Sequence, residues 1–172
     1  MNSIVRGFKS LTDFNGRDRR GQFWPYAGVV VGVWFVLLNT IASLTMVLAI
    51  AEGDDAGFLT GFFVTMIVGM LALAGLLAAA ASRRLHDRGH KGLWALVPVA
   101  FFMVSIIAFW IVSTAFVTMD GVDEAALGAG FIVGFLTMLI SNLIYMGSLV
   151  TLVIFLCLKG KTGPNQYGPE PV

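Results

Sequence analysis

The residues best suited to chemistry lie in one polar run near the middle of the chain. The run is Ser82-Arg83-Arg84-Leu85-His86-Asp87-Arg88-Gly89-His90-Lys91-Gly92. His86 and His90 have the spacing of two metal ligands on a helix, but Gly89 interrupts it and the neighbouring bases repel cations. His86 beside Asp87 resembles half of a hydrolytic dyad, yet the sequence identifies no nucleophile. We therefore predict no catalytic residue, metal site or cofactor, and interpret the run as a basic loop.

Four long apolar stretches must position this loop, and they indicate the class of protein. The chain has 172 residues, of which 58% are hydrophobic and only 12% charged, about half the charged fraction of a soluble domain. A membrane-spanning helix needs about 20 mostly apolar residues. We predict uncharged spans at about 27–50, 57–81, 93–119 and 127–158.

The flanks of these stretches complete the predicted architecture, an all-α polytopic membrane protein with a four-helix transmembrane bundle. Residues 1–172 form a single membrane domain in this interpretation. Residues 1–24 form a cytoplasmic or interfacial segment that begins with a short interfacial helix, since its apolar residues share one helical face. These residues are Ile4, Val5, Phe8 and Leu11. Residues 159–172 form a turn-rich cytoplasmic tail, because their glycines and prolines cannot continue a helix.

The distribution of charge predicts the orientation of the bundle. All eleven Lys and Arg residues lie in the N-terminal segment, the loop between spans two and three, and the tail, together with four acids. The other two loops hold six acids and no base. Because basic residues resist translocation, we predict that the basic side and both termini are cytoplasmic. No charged residue lies inside a span, which disfavours a proton-coupled carrier.

Three separate segments resemble a known family. They are Gly16-Arg17-Asp18-Arg19-Arg20-Gly21-Gln22-Phe23-Trp24, Arg83-Arg84-Leu85-His86-Asp87-Arg88-Gly89-His90-Lys91-Gly92-Leu93-Trp94 and Gly163-Pro164-Asn165-Gln166-Tyr167-Gly168. Together they resemble the bacterial inner-membrane proteins catalogued as domain of unknown function 805. The resemblance covers nearly the whole chain in order. It implies a small multi-pass protein of the bacterial inner (plasma) membrane and brings no known reaction, substrate or cofactor.

All three segments fall on the predicted cytoplasmic face, which is therefore the best candidate for function. We predict a non-enzymatic protein whose basic face engages anionic lipid headgroups or a partner protein, rather than nucleic acid. The candidate residues of this face are Arg17, Arg20, Trp24, Arg83, Arg84, His86, Asp87 and Trp94. The alternative is a small transporter or channel for an uncharged solute. A membrane enzyme would require turnover that depends on His86 or Asp87.

One contact within this face is also predicted. Asp87 is the only acid in the middle basic run, and it follows Arg84 by three residues and Arg83 by four, so a local pair with those arginines on one helical face is the simplest arrangement. The stronger hypothesis is that Asp87 also receives Arg17 or Arg20. That pair would join the N-terminal segment to the loop between spans two and three.

Overall fold

The computed structural model describes residues 2–53, 55–118 and 124–171, and within these ranges it is helical and contains no β-strand. The helices in chain order are α1 (Ser3–Lys9), α2 (Arg20–Glu52), α3 (Asp55–Asp87), a 3₁₀ helix (Gly92–Leu96), α4 (Val97–Thr118) and α5 (Glu124–Cys157). Four helical segments of the described chain are long and apolar enough to cross a membrane: α2, α3, the 3₁₀ helix continued by α4, and α5. The prediction of an all-α membrane protein with four long apolar helices is confirmed.

The long helices extend past the apolar stretches at the end of the bundle that carries the bases, which we call the basic end. α2 and α3 have 33 residues each, about 50 Å against a hydrocarbon core of about 30 Å. α2 begins at Arg20, so that Pro25 lies in its second turn, and the Arg19 amide donates to Gln22 Oε1 at 3.0 Å. α3 continues to Asp87. The interpretation of the whole polar run as a loop is therefore wrong, because its first six residues are helical.

α1 is a short helix that packs against α2. Asn2 caps it, since its side chain accepts a hydrogen bond from the Ile4 amide at 3.2 Å. The Phe8 ring meets Tyr26 edge-on with ring centroids 5.2 Å apart. Gly7 lies directly against the Tyr26 ring, and a Cβ at that position would collide with it. α1 is thereby attached to the second turn of α2, and its interfacial position stays a prediction.

The helices pack in chain order, α2 on α3, α3 on α4 and α4 on α5, whereas α2 and α5 make few contacts in the described chain. The main buried cluster lies close to the basic end. Its members are Phe23, Tyr26, Ala27, Val30, Ala80, Ala81, Leu85 and Leu156. Most of the remaining large apolar side chains face outward, as a surface in contact with lipid requires.

The predicted outer loops are only partly described. Asp54, Asp120 and Asp123, three of their six acids, lie outside the described residues, as does the end of the third predicted span at Met119.

Candidate functional site

Asp87 lies at the centre of a buried ionic cluster at the basic end. Arg17 donates to its Oδ1 through Nε at 3.0 Å, and Arg17 Nη2 lies 2.9 Å from the same oxygen. Arg84 donates to Oδ2 through Nη1. The Arg17 and Arg84 side chains are each 1% exposed, and that of Asp87 is 5% exposed. The predicted long-range contact is confirmed for Arg17 and not for Arg20, which instead donates to the Cys157 carbonyl at 3.3 Å.

A second ionic contact lies beside the first. In the first contact the N-terminal segment supplies the arginine and α3 the acid, whereas in the second the N-terminal segment supplies the acid and α3 the arginine. Asp18 accepts a hydrogen bond from Arg83 Nε at 2.8 Å and another from Arg6 Nη2 at 2.8 Å. Its backbone amide also donates to the Arg83 carbonyl at 3.2 Å. Arg17 and Asp18 are adjacent, and their partners Asp87 and Arg83 are one turn apart on α3. We call the five residues Arg17, Asp18, Arg83, Arg84 and Asp87 the arginine junction.

The positions of these charges fix how the N-terminal segment lies on α3, because the arginine of each segment must meet the acid of the other. In the observed register each arginine faces a carboxylate. A shift by one turn in one direction along α3 would place Arg17 against Arg83, and a shift in the other direction would place Asp18 against Asp87; buried like charges repel strongly. The arginine junction therefore specifies one arrangement of these two segments.

Backbone carbonyls satisfy the remaining guanidinium donors and, at the same time, the exposed end of α5. The last carbonyls of a helix have no partner within it and carry partial negative charge. Arg84 donates to the carbonyls of Leu156, at 3.0 Å, and of Leu158. Arg88 Nη1 donates to the Lys159 carbonyl at 2.7 Å. Arg84 of α3 and Arg88, which follows the last residue of α3, thus hold the end of α5, two helices further along the chain.

The C-terminal tail is docked onto the arginine junction. Arg17 donates through Nη1 to the Gly163 carbonyl at 2.7 Å and through Nη2 to the Lys161 carbonyl. The Lys161 amide donates to the Asp87 carbonyl at 2.9 Å. Gly160 lies so close to the Asp87 carboxylate that a Cβ there would collide with it. The tail therefore packs on the end of α3.

The Asn-Gln-Tyr-Gly segment forms a tight turn that packs on His86. Asn165 and Gly168 exchange two backbone hydrogen bonds of 3.0 Å, and Gly168 takes a φ of +127° that favours glycine. The Asn165 side chain donates to the His86 carbonyl at 2.9 Å. The Tyr167 ring stacks on the His86 ring with centroids 3.8 Å apart and planes 5° apart. All three segments that carry the family resemblance thus meet at the basic end.

His86 does not form a catalytic pair with Asp87. Its Nδ1 lies 3.3 Å from the Gly16 carbonyl and its Nε2 3.4 Å from Ser82 Oγ, while arginines occupy both oxygens of Asp87. The His90 ring stacks on the Phe155 ring with centroids 4.9 Å apart. It does not stack on His86, whose ring contacts Tyr167. No group of three or more potential metal-binding side chains occurs in the part of the chain that the structure describes.

The two tryptophans of the predicted face lie outside the arginine junction. Trp24 packs edge-on against Phe23 with centroids 5.2 Å apart, and Trp94 is exposed on the 3₁₀ helix. The structure therefore brings together Arg17, Arg83, Arg84, His86 and Asp87, leaves Arg20 at the edge, and separates Trp24 and Trp94 from them. Asp18 and the tail carbonyls were missed. The signal for Asp18 was its position beside Arg17 in the first family-like segment.

A basic pocket opens beside the arginine junction. Its volume is about 310 Å³. Bases outnumber acids in its lining, which consists of Arg19, Arg20, Gly21, Arg84, Asp87, Lys159, Gly160, Lys161, Glu170 and Pro171. Arg19, Arg20, Lys159 and Lys161 are exposed, so their charges are accessible where those of Arg17, Arg83 and Arg84 are not.

Four long apolar helices, closed at one end by buried ionic contacts, define a multi-pass membrane protein. The chain belongs to the family described as protein of unknown function DUF805, whose model matches residues 11–169. Uncharacterized protein YiiR of Escherichia coli (strain K12) is 28% identical over 160 residues, 93% of this chain and 86% of that protein. Inner membrane protein YhaI of the same strain is 25% identical over 164 residues, 95% of this chain and 89% of that protein. No solved structure matches the chain.

Proposed function

We propose that this is a non-enzymatic protein of the bacterial inner membrane whose basic end faces the cytoplasm and binds anionic lipid headgroups. The observation that carries the proposal is the basic pocket. Exposed bases at the beginning of α2 and in the tail line it together. Cytoplasmic leaflets are anionic, and each base near such a surface contributes about 1 kcal/mol to binding. A phosphate group is therefore a chemically suitable occupant.

The buried and the exposed bases have different roles in this proposal. Arg17 and Arg84 are engaged with Asp87 and with backbone carbonyls, so they position the walls of the basic pocket. Arg20 and Lys159 are exposed on those walls, and they would contact the headgroup. Headgroup binding thus depends on a subset of the bases that the sequence singled out, together with tail residues.

No observation favours the alternative of a transporter for an uncharged solute. Two spaces between the apolar helices are lined almost entirely by hydrocarbon side chains. A small polar solute would lose hydrogen bonds to water there without gaining others.

The test compares two double variants of equal charge change. Arg20→Gln with Lys159→Gln removes two bases of the basic pocket, whereas Lys9→Gln with Lys91→Gln removes two exposed bases outside its lining. Phosphatidylglycerol and cardiolipin that copurify with each variant are quantified by mass spectrometry. We expect the first variant to retain several-fold less anionic lipid than the second. Equal lipid ratios in the two variants would contradict the proposal.

A further inference from the structure

We propose that the space between α2 and α5 is a binding site for one acyl chain of an anionic phospholipid whose headgroup occupies the basic pocket. The inference rests on the proposed function, because the basic pocket supplies the headgroup site. It adds a defined chain site, which we call the acyl cleft. Its walls include Trp24 and Val31 of α2, Ala74 of α3, and Leu149 and Val153 of α5.

The acyl cleft follows from the way the helices pack. α3 lies between α2 and α4, and α5 packs on α4, so that α2 and α5 stand on either side of α3 with few contacts between them in the described residues. Alanines on the intervening face of α3 leave the space unfilled. These are Ala74, Ala78 and Ala81. The resulting cavity has a volume of about 440 Å³, within the range of about 300–1,000 Å³ that ligand sites occupy.

The chemistry of the walls selects a hydrocarbon occupant. Nearly all the side chains that line the acyl cleft are aliphatic or aromatic. The Trp34 indole N–H, one of the few polar groups there, already donates to the Gly69 carbonyl at 2.7 Å. Water or a polar solute would find almost no partner in this space. An alkyl chain would fill the acyl cleft without the loss of any hydrogen bond.

The acyl cleft is open to the side, where lipid chains are found. Val31 on α2 and Val153 on α5 both line it, and each is 41% exposed. An acyl chain can therefore enter laterally from the bilayer without passing through the bundle. The opposite side of the space is closed by α3, whose Ala81 is buried.

Continuity with the basic pocket commits the site to an anionic phospholipid. Gly21 lines the basic pocket and Trp24, three residues later on α2, lines the acyl cleft. Leu156 of α5 lines the acyl cleft, and Lys159 lines the basic pocket. In each case three residues separate the two linings, which on the helical segment of α2 is roughly 5 Å. A single molecule with a negative headgroup and an alkyl chain can thus occupy both spaces at once.

The test fills the acyl cleft without changing any charge. Val31→Trp and Val153→Trp place a large ring in it, whereas Val36→Trp and Val150→Trp place the same ring on lipid-facing positions outside its lining, at 62% and 57% exposure. Each variant is purified in mild detergent, depleted of lipid, and titrated with phosphatidylglycerol while native mass spectrometry counts bound molecules. We expect one phosphatidylglycerol molecule to bind to the unmodified protein and to each of the two controls. Binding should be about tenfold weaker in the cleft variants, because the ring displaces chain methylenes.

Two further ligands separate the parts of the inference. Phosphatidylcholine with the same chains should bind weakly, since its headgroup has no net charge, and glycerol phosphate should bind weakly, since it has no chain. Equal effects of Val31→Trp and Val36→Trp on phosphatidylglycerol would overturn the acyl cleft and leave the headgroup proposal standing. Equal binding of phosphatidylcholine and phosphatidylglycerol would overturn the anionic selectivity, and with it both proposals.

Discussion

Arg17 Nη2 lies 2.9 Å from Asp87 Oδ1, although 70 residues separate the two in the chain. The contact is almost excluded from solvent and includes a second arginine, Arg84, on the other carboxylate oxygen. Burying charges is expensive unless they are paired and their remaining hydrogen-bonding groups are satisfied. Here carbonyls of the tail and of α5 complete the arginine donor sets. The N-terminal segment and α3 are therefore joined through one carboxylate, and the tail binds Arg17, one of the two arginines that hold it.

Replacing that carboxylate should destabilise the protein strongly. Asp87→Ala leaves two buried guanidinium groups without their counterion, which costs about 3–5 kcal/mol of unfolding free energy. Asp13→Ala is the matched control, because Asp13 is an exposed acid at the same end whose carboxylate accepts only the Asn15 amide, at 3.0 Å, among the described contacts. The control should cost about 1 kcal/mol or less. Thermal midpoints in mild detergent measure the difference, and similar small shifts would contradict a shared buried pair.

The Asp18 contacts should control the attachment of α1. Asp18→Asn removes the charge that faces Arg6 and Arg83 at 2.8 Å each, while the Asp18 backbone contacts can persist. We expect faster amide hydrogen exchange in Ser3–Lys9 with little change in α5. Hydrogen-exchange mass spectrometry measures both regions, and Asp13→Asn serves as the control. Unchanged protection of α1 would show that its packing on Tyr26 and the hydrogen bonds of Arg83 to Ser10 hold it without the Asp18 charge.

The close approach of the tail to α3 makes a small substitution informative. In Gly160→Ala the added methyl group meets the Asp87 carboxylate, which two arginines hold in place, so the overpacking should cost about 1–3 kcal/mol. In Gly21→Ala the methyl group meets no atom within 4 Å, and helix propensity should make the change neutral or stabilising by up to about 1 kcal/mol. A thermal midpoint of Gly160→Ala equal to that of Gly21→Ala would contradict the docked position of the tail.

The sequence was sufficient for the helices and for two contacts of the arginine junction, those of Asp87 with Arg84 and with Arg17. The local pair of Asp87 with Arg83 was wrong, because Arg83 pairs with Asp18. Long uncharged stretches leave few alternatives to membrane helices. The Arg17 contact with Asp87 could be predicted because the two family-like segments share one membrane depth and carry opposite charges. The extension of α3 through His86 to Asp87 was missed, because basic residues before a glycine are common both in loops and in the last turn of a helix.

The orientation of the arginine side chains could not be predicted from the sequence. An arginine near a helix end can extend its guanidinium towards headgroups or turn it inward to a carboxylate, and the local pattern is the same. Arg83 and Arg84 turn inward because Asp18, Asp87 and the end of α5 approach them in three dimensions. Asp18 and the end of α5 come from distant parts of the chain, so no local spacing specifies them, whereas Asp87 lies only three residues after Arg84. The docking of the tail was missed for the same reason.

The orientation of the bundle remains a prediction that thiol labelling can test. The positive-inside rule places Lys91 and Lys161, both exposed at the basic end, in the cytoplasm. It places Asp54 and Asp123, which lie outside the described residues, on the opposite side. Single cysteines at these four positions are made in a Cys157→Ser background, because the native Cys157 thiol is itself exposed.

An impermeant maleimide applied to intact cells should label the cysteines at positions 54 and 123 and leave those at 91 and 161 unmodified. After the membrane is permeabilised, all four should react, which controls for local access at each position. Eleven bases share one side of the bundle with four acids, whereas the other side carries six acids and no base, so the basic side should resist translocation. Labelling of Lys91→Cys and Lys161→Cys in intact cells, with protection of the other two cysteines, would show that the bundle has the opposite orientation in the membrane. The basic pocket would then face away from the anionic cytoplasmic leaflet, and the proposed headgroup site would lose its physical basis.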